Sequence, residues 1–146
     1  MTYLLDVNVL IALIDPAITH HMKAQNWFAS IGRKAWATCP LTENGVIRIV
    51  GNPRYPNSPG SPREVAELLA RFKEEPGHVF WPDDISILDQ TKVDISRLST
   101  TGQITDSYLL ALAIAHGGQL ATFDRRLIPD AVQNGAQGLY LIPPQP

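Results

Sequence analysis

Two stretches of this chain place a carboxylate where apolar sequence would ordinarily exclude one. "TYLLDVNVL" sets Asp6 directly behind Tyr3, Leu4 and Leu5, and "LATFDRRL" sets Asp124 behind Leu120, Ala121 and Phe123. Two short strands therefore read as ending in acids. In an open parallel sheet, ligands bind beyond the carboxyl ends of the strands. Glu43, at the start of the helix after "KAWATC", and Asp106, at the start of the helix before "QLATF", can reach the same edge. Like charges gathered in a partly dry cleft repel one another by several kcal/mol unless something neutralises them. A hard divalent cation does so, and all-oxygen ligation without His or Cys suits Mg²⁺ or Mn²⁺. The chemistry such an ion supports is phosphoryl transfer, with an activated water attacking in line and the charge on the leaving oxygen offset. Asn8, two residues after Asp6, is placed to hold that carboxylate by a hydrogen bond.

Each acid also has a plainer reading. Glu43 and Asp106 can simply favour helix N-termini, worth roughly 0.3–1 kcal/mol each, and Asp124 can form a turn. Asp6, wedged between "YLL" and "VLIALI", is either buried with a partner or placed for function. Of the other acids, Asp15 belongs to a Pro turn, Asp83 and Asp84 look like helix caps, and Asp89, Asp94 and Asp130 sit among polar residues; all are expected at the solvated surface. His20, His21, His78 and His116 form no ligand cluster by spacing, Cys39 reads as packed core, and Trp27, Trp36 and Trp81 read as core. Ser107 lacks a nucleophile-elbow frame, and the chain has no glycine-rich phosphate loop. Arg48, Arg54, Arg63, Arg125 and Arg126 flank the acidic stretches. Arg48 and Arg125 are the candidates for phosphate contact, the competing reading being ordinary surface salt bridges.

Elements of regular structure must hold these groups. The 146 residues suit one domain, 1–146, with a core large enough to need no staple. At 45% hydrophobic and 18% charged, the composition is that of a globular protein. A single cysteine excludes an internal disulfide and fits a reducing cytoplasm. The N-terminal stretch does not read as a signal peptide, and no apolar run approaches the roughly 18 residues of a membrane span. The net charge of −2 argues against a generic electrostatic binder of nucleic acid, so a polyanionic substrate would need help from cations.

Strands are expected at "YLLDV", "KAWATC", "HVFWP", "QLATF" and "GLYLI". Between them, "NVLIALID" reads as a short helix, and Met22, Trp27, Phe28 and Ile31 recur at helical spacing before Gly32. "LTENGVIRIV" reads as a helix begun near Thr42. The loop at 54–61 precedes the best-signposted helix, with Ser61 as N-cap, Pro62 next, Glu64 completing a capping box, and Val65, Leu68, Leu69 and Phe72 on one stripe. "DDISILDQ" suggests a further short helix, and Thr105 is placed to cap an apolar one. Strands alternating with helices imply an α/β fold with a mostly parallel central sheet.

Taken in order, "LLDVNVLIAL", "TENGVIRIVGNP" and "ITDSYLLALAIAHGGQLATFD" resemble the PIN-domain ribonucleases, specifically the VapC-type toxins of bacterial toxin–antitoxin systems, over nearly the whole chain. No one motif is specific; the ordered set is. The resemblance implies a PIN-like three-layer α/β/α sandwich, with Asp6, Glu43, Asp106 and Asp124 as metal-binding acids and Asn8 and Thr122 supporting them. It implies endonucleolytic, Mg²⁺- or Mn²⁺-dependent cleavage of RNA by water, leaving a 5′-phosphate. It also implies a homodimer and a VapB-type antitoxin whose tail enters the acidic cleft. The idiosyncratic loop 54–61 is the expected place for substrate choice or antitoxin fit to vary. The rival reading is a PIN-like module that grips RNA or a partner without turnover. Phosphatases of the haloacid-dehalogenase type would want an acid where Asn8 stands, and receiver domains an acidic pair near the first strand and a late lysine.

Overall fold

The structure, a computed structural model, describes residues 1–56 and 58–143. Asn57, in the loop 54–61, and the last three residues of the Pro-rich tail lie outside the described residues. All five expected strands are present: β1 (Tyr3–Leu5), β2 (Trp36–Thr38), β3 (His78–Phe80), β4 (Gln119–Thr122) and β5 (Leu139–Leu141). They form one sheet in the order β3-β2-β1-β4-β5, every pairing parallel. In the register, Leu4 lies beside Ala37 on one side and Leu120 on the other. Chain order reverses between β1 and β4, so a crevice opens at their carboxyl ends, beyond Leu5 and Thr122.

The sheet is covered on both faces, as parallel sheets require. Successive strand residues point to opposite faces, and β1 shows it: Leu5 joins one core cluster and Leu4 the other. With Leu5 lie α1 (Val7–Ile14), α2 (His21–Ser30), α3 (Pro40–Val50) and α4 (Pro62–Phe72). With Leu4 lies α5 (Gly102–Ala115), whose Leu109, Leu110 and Leu112 are fully buried; a single turn, α6 (Gly135–Gly138), precedes β5. The tryptophans pack as expected, Trp36 at 0% exposure on β2 between β1 and β3. Cys39 is fully buried, and burial pushes its thiol up to about 11, so it stays an inert core group.

Four local expectations need correction. The segment 83–90 forms turns and no helix, because Ser86 and Asp89 spend their side chains on the backbone amides of Leu88 and Thr91, a competitor of helical pairing. In α2 the buried stripe is Ala24, Trp27 and Phe28, while Met22 and Ile31 are exposed. α5 begins at Gly102, one turn before the expected cap at Thr105, so Asp106 stands in its second turn. Gln103 anchors that start, its Oε1 accepting from the amides of Ser99 and Thr100. Asp15, expected in solvent, is 6% exposed; Tyr55 donates a short hydrogen bond to its Oδ2, and the Ala17 amide donates to Oδ1.

Candidate active site at the carboxyl ends of β1 and β4

Asp6 follows β1 and is the N-cap of α1, its Oδ1 accepting from the Val7 amide at 2.8 Å. Its other oxygen, Oδ2, accepts from Thr122 Oγ1 at 2.8 Å. Thr122 is the last residue of β4 and fully buried. Its single hydroxyl uses all its capacity: besides donating to Asp6 it accepts from Asn8 Nδ2 at 3.1 Å and from the Asp124 amide at 3.0 Å. Asn8 Oδ1 in turn accepts from the Phe123 amide at 3.2 Å, tying the first turn of α1 to the chain leaving β4. Two strand ends 116 residues apart in sequence are thereby tied together, and the Asp6 carboxylate is fixed relative to the Asp124 backbone, Asn8 reaching Asp6 through Thr122 and not by the direct hydrogen bond expected of it.

Asp6, Asp106 and Asp124 line one cavity of about 430 Å³, together with Asn8 and, from α3, Asn44 and Arg48. Burial raises the carboxyl of Asp6, which the hydrogen bonds from Thr122 and Val7 partly oppose and the charge of Asp124 reinforces. Asp106 is pushed up to about 6, first by burial and then by the neighbouring charges of Asp6 and Asp124. Asp106 thus feels the charges of both neighbours and Asp6 that of Asp124, repulsion that a bound cation would relieve. Among the described residues no three His, Cys, Asp or Glu side chains close into a finished ligand shell. An open carboxylate cleft of this kind leaves coordination positions for water and substrate, the usual habit of Mg²⁺.

Glu43 is the predicted acid that the structure does not bring to the cavity wall. Its Oε2 is engaged by Lys73 Nζ and by Thr38 Oγ1, each at 2.7 Å. Of the two candidate phosphate contacts, Arg48 lines the cavity; Arg125 does not, and reaches instead toward the carbonyl of Ile142 at 3.4 Å. Asn44, Leu41 and Ile49 are lining residues that sequence reasoning missed. A signal existed: Asn44 and Arg48 stand four apart on α3 and so share a face.

Fold and site together define a parallel α/β protein that presents an open carboxylate cleft at the switch point of its sheet. The PIN domain family model matches residues 3–131, and the chain belongs to that family. It is similar to two proteins of Mycobacterium tuberculosis: Ribonuclease VapC44, 46% identical over 132 residues that cover 90% of this chain and 92% of the relative, and Ribonuclease VapC39, 42% identical over 131 residues that cover 90% and 94%. Among solved structures it resembles VapBC2 from Rickettsia felis bound to a promoter DNA fragment, at a TM-score of 0.58 and 14% identity, covering 86% of this chain and 90% of that one. It also resembles FitAB bound to a DNA fragment, at a TM-score of 0.56 and 20% identity, covering 84% and 85%. At those identities the structural matches speak for the fold. Among the described residues no helix is long and apolar enough to cross a membrane.

Proposed function

We propose that this chain is a metal-dependent endoribonuclease and the toxin of a type II toxin–antitoxin pair. The observation that carries the reading is the convergence of Asp6, Asp106 and Asp124 on one cleft, where burial and mutual charge lift the carboxyl of Asp106. The donor set fits a hard divalent cation, Mg²⁺ or Mn²⁺: all-oxygen, trianionic when ionised, and open to water. Asp6, Asp106 and Asp124 would hold it. When bound, such an ion supplies a water of lowered pKa and offsets charge on the leaving oxygen. Thr122, itself held by Asn8, fixes the Asp6 carboxylate and the backbone that carries Asp124. Arg48, on the α3 wall, is the cation placed to meet a substrate phosphate.

The relatives' name, ribonuclease, supports RNA over other phosphodiesters as the substrate. The VapC names support a VapB-type antitoxin as partner; a homodimer acting in the cytoplasm completes the reading. The deciding experiment is RNA cleavage by purified Asp6→Asn and Asp106→Asn variants whose circular dichroism matches the unaltered protein. Both should lose cleavage, and unchanged cleavage in either would remove the assignment. Growth inhibition that survives Asp6→Asn would instead favour a module that binds without cutting. Mass measurement of the co-expressed pair in solution tests both the dimer and the antitoxin.

A further inference from the structure

We propose that Glu43 is a positioning residue in this chain, held by Lys73 outside the metal ligand set, and that it fixes the rotation of α3 so that Asn44 and Arg48 face the cleft. The inference rests on the metal-site reading above. Lys73 is the C-cap of α4 and Thr38 the last residue of β2, so the Glu43 carboxylate joins three elements. Thr38 is fully buried, and its hydroxyl oxygen also lies 2.7 Å from His78 Nε2 on β3. Lys73 Nζ lies 5.1 Å from the centre of the Phe80 ring, a second attraction for the same ammonium. The side chains of Glu43 and Lys73 are 21% and 28% exposed, so the pair is largely sheltered from screening. To enter the cleft, the carboxylate must give up two charge-assisted hydrogen bonds and leave Lys73 unpaired beside an aromatic ring.

Helix geometry supplies the consequence. Successive helical residues are turned about 100° from one another. Anchoring Glu43 toward α4 therefore presents Asn44 and, one turn on, Arg48 to the cavity that Asp6, Asp106 and Asp124 share. Gly45 lets α3 come close to α1 at this point: a Cβ there would lie 2.9 Å from Val7 Cγ2. The α3 wall of the cleft is thus set from outside the cleft.

The test uses the full chain and Mn²⁺ as probe. Calorimetry should show Asp106→Asn binding Mn²⁺ at least about tenfold more weakly, because a unit of ligand charge is gone, with Glu43→Gln changed by less than about threefold, since that charge already belongs to Lys73. Thermal midpoints of Glu43→Gln and Lys73→Met should fall by similar amounts and fall no further in the double variant. Lys73→Met should raise KM for RNA several-fold with kcat within about twofold, and Lys73→Arg should restore KM. A Mn²⁺ loss in Glu43→Gln equal to that in Asp106→Asn, or additive midpoint losses in the double variant, overturns the proposal. If Asp106→Asn binds Mn²⁺ normally, it is the metal reading that falls; the thermal cycle still decides the Glu43–Lys73 coupling.

Discussion

Asp106→Asn should make the metal-free protein more stable while destroying its activity. In the folded chain the Asp106 carboxyl is raised from 3.8 to about 6, first by burial and then by Asp6 and Asp124. A shift of that size corresponds to at most about 3 kcal/mol of unfavourable charging at neutral pH. The side chain is only half buried, so solvent screening lowers the figure to about 1–2 kcal/mol. For a chain of this length that is about 3–6 °C in thermal midpoint. The sign follows from proton counting. Below 3.8 both states hold the proton and the group contributes nothing; between 3.8 and about 6 the unfolded carboxyl ionises while the folded one resists, so stability falls as pH rises. The advantage of the Asn variant should therefore open across that window and stay constant above it. Scanning calorimetry in EDTA at pH 4 and pH 7.5 measures it directly. Added Mg²⁺ should then stabilise the unaltered protein, by about 2.7 kcal/mol at a hundredfold excess over Kd, and leave the variant almost unmoved. An Asn variant that is less stable than its parent in EDTA at pH 7.5 would refute the claim that the cleft stores charge repulsion for a cation to relieve.

Other perturbations probe the same framework from different sides. Thr122→Val removes the donor to Asp6 and the acceptor of Asn8 and the Asp124 amide, so cleavage should fall about 10–100-fold with the fold retained on circular dichroism. Tyr55→Phe deletes the hydroxyl that satisfies buried Asp15 and whose pKa burial and that contact push up to about 12; urea unfolding should show a loss of about 1–3 kcal/mol while cleavage by folded protein persists. Gly45→Ala gains about 1 kcal/mol of helix propensity but forces a β-branched neighbour, Val7, toward the cleft. Its thermal midpoint should change little and its cleavage rate should drop. EDTA should abolish cleavage by the unaltered chain and excess Mn²⁺ restore it.

What the sequence disclosed and what it withheld divide along the range of the interactions involved. The five strands and the acids behind β1 and β4 were legible because a carboxylate directly after an apolar run violates local burial rules, and the violation lies within a few residues. The role of Thr122 came through family resemblance; by its spacing Asn8 reads as a direct partner of Asp6, and that it acts through the Thr122 hydroxyl emerges only once β1 and β4 lie side by side. Segment 83–90 misled because Asp and Ser serve equally as helix caps and as formers of isolated turns. Asp15 and Glu43 misled for a further reason: each has its partner far along the chain, Tyr55 forty residues on and Lys73 on the next helix, and no periodicity links such positions.

A carboxylate's role is set by the cations and donors that surround it after folding, and sequence shows only where a carboxylate can be. Asp6, Asp106 and Asp124 converge on a wall where, among the described residues, Arg48 is the one cationic side chain, so on the proposed reading their charge remains available to a metal. Glu43 begins a helix at the same sheet edge but finds an ammonium there, and its charge is already spent. Within one family motif, then, a neighbour thirty residues downstream separates an acid available to a metal from one that holds a helix in place. Relatives with an apolar residue at the position of Lys73 should accordingly recover the glutamate as a ligand, and Mn²⁺ calorimetry on Lys73→Met asks whether this chain does the same.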